Sequence, residues 1–482
     1  MAPTLEEIPN ELLERIIQLL DRRDISNLRS SSRLLASKAM QRRFKSFFRT
    51  KHVQLDERSL KDFVRVTQSG GVGCLVENLI LVGLVTDQAF AEEPVRIPAT
   101  SGIAVQDASH KLYWRQRFDA LITRRNALRT LRDSKDDLRL LSEALRNISQ
   151  SATARCLSSL SLKIRVYWHH GRRHEVPALH SHEPDFDDSI SCGADFGLIY
   201  EAAAHTFRIT MESLASSLLA VEKLDIYNGS DMQRCSLPDR ELNNVGANYP
   251  GLHACFAPME SLTMSLCNPR PPEVKHCEWA GERPFWLEGG ITPVTPDLSE
   301  SLGLGQLLKL TQHLSHLNLH YFTQHSWDPT EKLHSQVLTQ YAATCSPLPK
   351  LRSCRISGLH CDPDDLIIFL QQTKPKRIAL ENIFALSKTW RPIFDLLTSP
   401  QAELESLYLD DLFEGHRHIC FDAPGPAKYD ETGTTGCNTV QRRSETVRLP
   451  INYHLVRCDV RHTESLWYWR ERRSLEYGLG RF

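Results

Sequence analysis

Residues 314–319, LSHLNL, and residues 404–409, LESLYL, share one pattern: an apolar residue, two others, an apolar residue, one other, an apolar residue. The alternating apolar residues that end such a hexad fit a strand with one buried face. The pattern returns in VENLIL (76–81), LSSLSL (157–162), VEKLDI (221–226), MESLTM (259–264) and LRSCRI (351–356), and in PKRIAL (375–380) with Pro375 at the weak first place. Stretches of helical periodicity lie between them: DDLRLLSEALRNI (136–148), TFRITMESLASSLL (206–219), GLGQLLKLTQHL (303–314), LHSQVLTQYAAT (333–344), DPDDLIIFLQQT (362–373) and WRPIFDLL (390–397). Asp362 followed by Pro363 is a good N-cap and first-turn pair, since the carboxylate accepts from free N–H groups and proline has none to waste.

Strand and helix in repetition predict a mixed α/β chain. The L-x-x-L-x-L consensus resembles the leucine-rich repeat. The later copies are spaced by about 24 to 38 residues, the early ones by more, and apart from Cys267 after MESLTM they lack the Asn or Cys of the strict consensus turn. The resemblance therefore implies an irregular, degenerate solenoid, whose stacked strands would line an extended concave surface for another protein. The competing architecture is an α/β domain with a parallel sheet. No glycine-rich phosphate loop follows any of the strands, which removes the commonest reason for that fold.

Three stretches read as insertions: 87–110, which lacks helical periodicity; 169–193, rich in His, Asp and Pro; and 268–300, interrupted by Pro269, Pro271, Pro272, Pro284, Pro293 and Pro296. Beyond residue 415 a Gly/Pro/Thr stretch leads to the tail SLWYWRERRSLEYGLGRF, whose Trp467, Trp469 and Tyr477 suit a cap packed over the last repeat. The Gly70-Gly71-Val72-Gly73 cluster lacks nucleotide-loop spacing and reads as a turn before the first strand.

The amino-terminal fifty residues read differently. Ile8-Pro9 opens a helix, with Pro9 in the first turn and Glu11 at the positive end of the helix dipole. Leu12, Leu13, Ile16, Ile17, Leu19 and Leu20 give it an apolar face wider than one shallow contact needs. Asp24 reads as the N-cap of a second helix carrying Ile25 and Leu28, and a third runs from about Arg33 to Phe48. Three helices this short bury little surface alone and favour a partner. The basic residues Arg42, Arg43, Lys45, Arg49 and Lys51, interleaved with Phe44, Phe47 and Phe48, read as a solvated face over a packed one rather than a nucleic-acid contact.

The string IPNELLERIIQLLDRRDISNLRSSSRLLASKA resembles an F-box. That resemblance implies docking onto a Skp-type adaptor through Ile8, Pro9, Leu12, Leu13, Ile16, Leu20, Ile25 and Leu28. Ile8 stands where the family usually has Leu, and no Trp lies near Leu35 where many relatives carry an aromatic. The layout as a whole, with a Tyr-Gly pair near the end, resembles a large group of F-box proteins from filamentous fungi. The expected organisation is an F-box domain at 1–50, a repeat region for binding substrate at 51–414 and a capping segment or tail at 415–482.

Composition bounds the rest. Lys and Arg total 58, Asp and Glu 59, so the net charge of -1 provides no global field for nucleic acid or an anionic membrane. The start has acidic residues where a signal peptide would be basic, and no run of about 18 apolar residues predicts a transmembrane helix. The 13 cysteines are scattered, which suits reduced thiols in cytoplasm or nucleus. His169, His170, His174, His180 and His182 are metal-ligand candidates by type, but arginines and prolines among them suggest a solvated loop; His316, His320 and His325 read as satisfied core or surface residues. No Cys-x-x-Cys, Gly-x-Ser-x-Gly, Walker or His-Glu-x-x-His motif occurs. The expectation is thus a non-enzymatic substrate receptor of a Skp–cullin–F-box ubiquitin ligase, with no cofactor or metal, an adaptor, a cullin and an unknown protein substrate as partners, and no nucleic acid or membrane. The alternatives are an F-box protein acting through the adaptor outside a ligase, and an α/β enzyme whose site escapes motif reading.

Overall fold

A computed structural model describes residues 5–39, 42–68, 72–86, 108–151, 156–167, 173–175, 194–228, 235–243, 245–267, 303–322, 350–385, 389–415, 417–423, 425 and 438–457. The helix expected at 333–344, His325 and the aromatic tail with Trp467, Trp469 and Tyr477 lie outside these residues, as do most of the histidine-rich stretch and of the insertions.

The chain begins with a small bundle: α1 (Asn10–Leu19), α2 (Arg22–Ser31), α3 (Arg33–Lys38) and α4 (Arg42–Ser46). Pro9 is not in the first turn but caps it, its carbonyl accepting from Leu12 and Leu13. The cap of α2 is Asp21, whose carboxylate accepts from Asp24 N–H at 2.8 Å; Asp24 itself sits in the first turn. Ser32 ends α2 and caps α3, accepting from Leu34 and Leu35. The single third helix expected through Phe48 is instead two, α3 ending at Ala39.

A parallel sheet follows, with strands β1 (Thr50–Gln54), β2 (Asn78–Thr86), β3 (Ser159–Tyr167), β4 (Lys223–Ile226), β5 (Ser261–Cys267), β6 (His316–Phe322), β7 (Ser353–Ser357), β8 (Arg377–Glu381) and β9 (Ser406–Asp410). Their spatial order is their chain order, and β10 (Thr439–Arg443) closes the series antiparallel to β9. Each predicted hexad from β2 to β9 forms a strand. Its fourth and sixth positions stack into two columns, Leu79-Leu160-Leu224-Leu262-Leu317-Cys354-Ile378-Leu407 and Leu81-Leu162-Ile226-Met264-Leu319-Ile356-Leu380-Leu409. Every member is at most 3% exposed, so these columns are the spine of one continuous core. β1 was not foreseen; its Val53 extends the second column onto Leu81.

Helices Asp136–Ser149 and Ala194–Ser217 pack together behind the early strands. Gly83 on β2 is where the second comes closest: a Cβ there would stand 2.1 Å from Thr206 Oγ1. Helix Ala108–Asp133 starts inside the stretch expected to be irregular, and its Leu128 covers Val82 and Leu84 on the opposite face of β2. Helix Gly303–Lys309 is shorter than its sequence pattern, whereas Asp362 caps Pro363–Thr373 as expected, accepting from Asp364 N–H at 3.0 Å.

In the last three hexads the ordered pattern runs further than six residues. Ser357-Gly358-Leu359, Glu381-Asn382-Ile383 and Asp410-Asp411-Leu412 turn the chain, with φ of 73°, 52° and 52° at the middle residue. Glycine, asparagine and aspartate tolerate this left-handed conformation best. Leu359, Ile383 and Leu412 then point into the core, and short strands at His360–Cys361, Phe384–Ala385 and Phe413–Glu414 begin a second sheet. His360, Phe384, Phe413 and His418 stack across it with ring centroids 4.3 to 4.8 Å apart. Strands Arg417–Phe421 and Tyr453–Arg457 complete this sheet.

Candidate functional site

Two features bear on function: the outer surface of the bundle and the front face of the sheet, opposite the apolar columns.

The bundle has a minimal core. Leu13, Ile17, Ile25, Leu35, Ala39 and Phe44 are buried, with Ile8, Leu20, Leu28, Phe47 and Phe48 partly buried against them. Lys38 Nζ donates to the carbonyls of Glu6 at 2.7 Å and Ile8 at 3.1 Å, tying the entering chain to α3. The Arg29 guanidinium lies 4.0 Å over the Phe44 ring, and Arg43 4.8 Å over Phe47. Such stacking spends cations on the bundle's own aromatic faces.

The broad apolar face of α1 resolves into two stripes at helical spacing. Leu13, Ile17 and Leu20 turn inward, whereas Leu12, Ile16 and Leu19 turn outward, with Leu12 52% and Leu19 88% exposed. Of the eight residues expected to dock, Pro9, Leu12 and Ile16 are exposed, while Ile8, Leu20 and Leu28 are half-buried. Leu13 and Ile25 are fully enclosed and form part of the bundle's core. Leu5, Leu19 and Leu34 are exposed apolar residues absent from the expected set. Apolar surface on so small a unit is a feature of contact sites.

The front face from β4 onward is polar. Toward the C-terminal ends of the strands its groups are paired: Ser265 and His320 share a hydrogen bond of 2.7 Å, Arg355 grips the Glu381 carboxylate at 2.8 Å through two nitrogens, and Thr439 donates to Asp410 at 2.7 Å. Nearer the middle, burial pushes the Asp225 carboxyl up to about 6, against the opposing pull of the Asn228 N–H and of Lys163. A carboxyl raised in the folded state costs stability wherever it must ionise. The cost is absent below the unfolded value of about 3.9, grows toward the folded value and is complete above it. Asp225→Asn keeps the acceptor for Asn228, so it is expected to melt higher than the parent near neutral pH, with the gap closing below about pH 4. Melting curves across that range check this; a constant gap contradicts it.

Cys156, Cys255 and Cys354 are poor nucleophiles. Burial pushes Cys156 and Cys255 up to about 11 and Cys354 up to about 12, where little thiolate exists at neutral pH. Among the described residues no three His, Cys, Asp or Glu gather as a metal site, and no helix is long and apolar enough to cross a membrane.

Compared with known proteins, no curated protein matches this chain. A family model for the F-box domain matches residues 5–47, the span that holds α1 to α4 and the exposed stripe of Leu12 and Ile16. Bundle and match coincide: the chain carries an F-box domain at residues 5–47.

Proposed function

We propose that this protein is the substrate-recognition subunit of a Skp–cullin–F-box ubiquitin ligase. The F-box is a Skp-binding module, and the carrying observation is its outward stripe of Pro9, Leu12, Ile16 and Leu19 beside an inward stripe that already forms the core. We further read residues 51–414 as a degenerate leucine-rich-repeat-like solenoid that binds the target, and the segment after 415 as its cap. In-order parallel strands support the solenoid: they lack the reversal of strand order at which open α/β sheets bind their ligands. The antiparallel pairing of β10 on β9 supports the cap, because it covers an edge that would otherwise be free to pair with another chain.

The mechanism is proximity. Holding adaptor and target on one chain raises the effective concentration of a target lysine near the ubiquitin thioester, with no chemistry asked of this chain. Leu12→Asp combined with Ile16→Asp is expected to abolish co-purification with the Skp adaptor and its cullin while leaving the melting temperature of the sheet unchanged. Undiminished co-purification refutes the docking face, and adaptor without cullin from the parent protein refutes the ligase.

A further inference from the structure

One register level of the front face has a composition that folding does not require. Across seven adjacent strands, from β4 to β10, it reads Lys223, Ser261, His316, Ser353, Arg377, Ser406, Arg443. Basic residues and serines alternate, and no carboxylate interrupts them. Lys223, Arg377 and Arg443 are exposed and have no ion-pair partner among the described residues. Elsewhere on this face Arg355 does pair, with Glu381, so the cations of this row stand apart.

The surroundings do little to cancel the charge. Glu222 and Glu260 precede the row by one residue, Glu405 is engaged by Lys376 at 3.1 Å, and Arg352 adds a further exposed cation beside His316. His316 registers the result: burial first, and then Arg377, Arg352 and Lys223, hold its imidazolium form down against the pull of Glu260. The row lies at the N-terminal ends of the strands. The chain leaves β5 at Cys267 and β6 at Phe322, the opposite ends.

We propose that this row binds a peptide segment in the polyproline II conformation, carrying anionic side chains at every third residue and so on one face. Strands about 4.8 Å apart place bases on alternate strands roughly 9.6 Å apart, and one three-residue turn of polyproline II rises roughly 9.3 Å. The intervening serine hydroxyls are free to donate to the oxyanions between the cations. Carboxylates and phosphates share this chemistry. The proposal rests on the reading of the repeat region as the target-binding part, and it specifies what that part selects.

The test is fluorescence anisotropy on the full chain purified with its adaptor. Three labelled peptides carry phosphoserine, glutamate or lysine at every third position, and a fourth carries the same number of phosphoserines with the spacing scrambled. The phosphoserine peptide is expected to bind, more weakly as salt rises. Binding of the glutamate peptide as well assigns the site to acidic segments in general; its failure assigns it to phosphorylated ones. Lys223→Glu with Arg377→Glu and Arg443→Glu is expected to weaken binding roughly ten-fold or more, while Arg377→Lys with Arg443→Lys retains it. The proposal is overturned if no anionic peptide binds better than the lysine control, if scrambling the spacing has no effect, if the charge-reversed protein binds as the parent does, or if only an oligonucleotide of equal charge binds. Adaptor retention is measured on the same samples, so loss of the docking face and loss of peptide binding are read separately.

Discussion

Replacing Trp390 by alanine is expected to cost about 3 to 5 kcal/mol, the range for emptying a large aromatic site in a packed core. Trp390 is fully buried beside Phe394, with ring centroids 5.6 Å apart. Its Nε1 donates to the Phe413 carbonyl at 2.9 Å, and its backbone N–H donates to Glu414 Oε1 at 2.9 Å. The same carboxylate oxygen accepts from the Tyr453 hydroxyl at 2.6 Å, so one side chain joins the last helix to both parts of the second sheet. Trp390→Phe keeps most of the packing and loses the indole donor to the Phe413 carbonyl, a smaller cost of about 1 to 3 kcal/mol. Thermal or urea melts rank the two variants. If the alanine variant melts with the parent, the account of this end of the core is wrong.

Leu12 and Leu13 are neighbours in sequence and are expected to fail in opposite ways. Leu13→Ala empties a site with no exposed surface in a cluster of only six buried residues, at about 2 to 5 kcal/mol, much of what so small a bundle has to give. Leu12 is half in solvent, so its truncation is expected to leave the bundle folded and weaken adaptor capture. Limited proteolysis within residues 5–47 together with adaptor pull-down separates the two. Equal protease sensitivity in both variants contradicts the two-stripe description of α1.

That pair also shows what one sequence reveals and what it leaves undecided. The hexads were legible because alternate apolar residues are the direct trace of a one-sided strand, and Cys354 and Met264 fill their columns as well as leucine does. β1 was not, since TKHVQ offers a single apolar residue, Val53, and no alternation. The second sheet was invisible for another reason: its first strands are two residues long and follow a left-handed turn that resets any period. On α1, Leu12-Ile16-Leu19 and Leu13-Ile17-Leu20 have the same helical spacing. Only the position of α2, α3 and α4 decides which stripe is core, so the sequence alone leaves open which one faces outward. The start of α2 was ambiguous between Asp21 and Asp24, because either carboxylate satisfies an N-cap and the register of the turn settles it. The row of bases was out of reach, because its members are spread over 221 residues of chain and meet only through strand pairing.

The join between bundle and sheet has a mechanical consequence. After α4 ends at Ser46 only Phe47, Phe48 and Arg49 remain before β1, and the two phenylalanines already belong to the bundle's packing. The Arg49 carbonyl accepts from both Glu77 and Asn78 at 2.8 Å, and its side chain meets Glu77 at 3.3 Å. This is a bracket rather than a tether. It leaves no loose chain between the bundle's own packing and the first strand of the sheet.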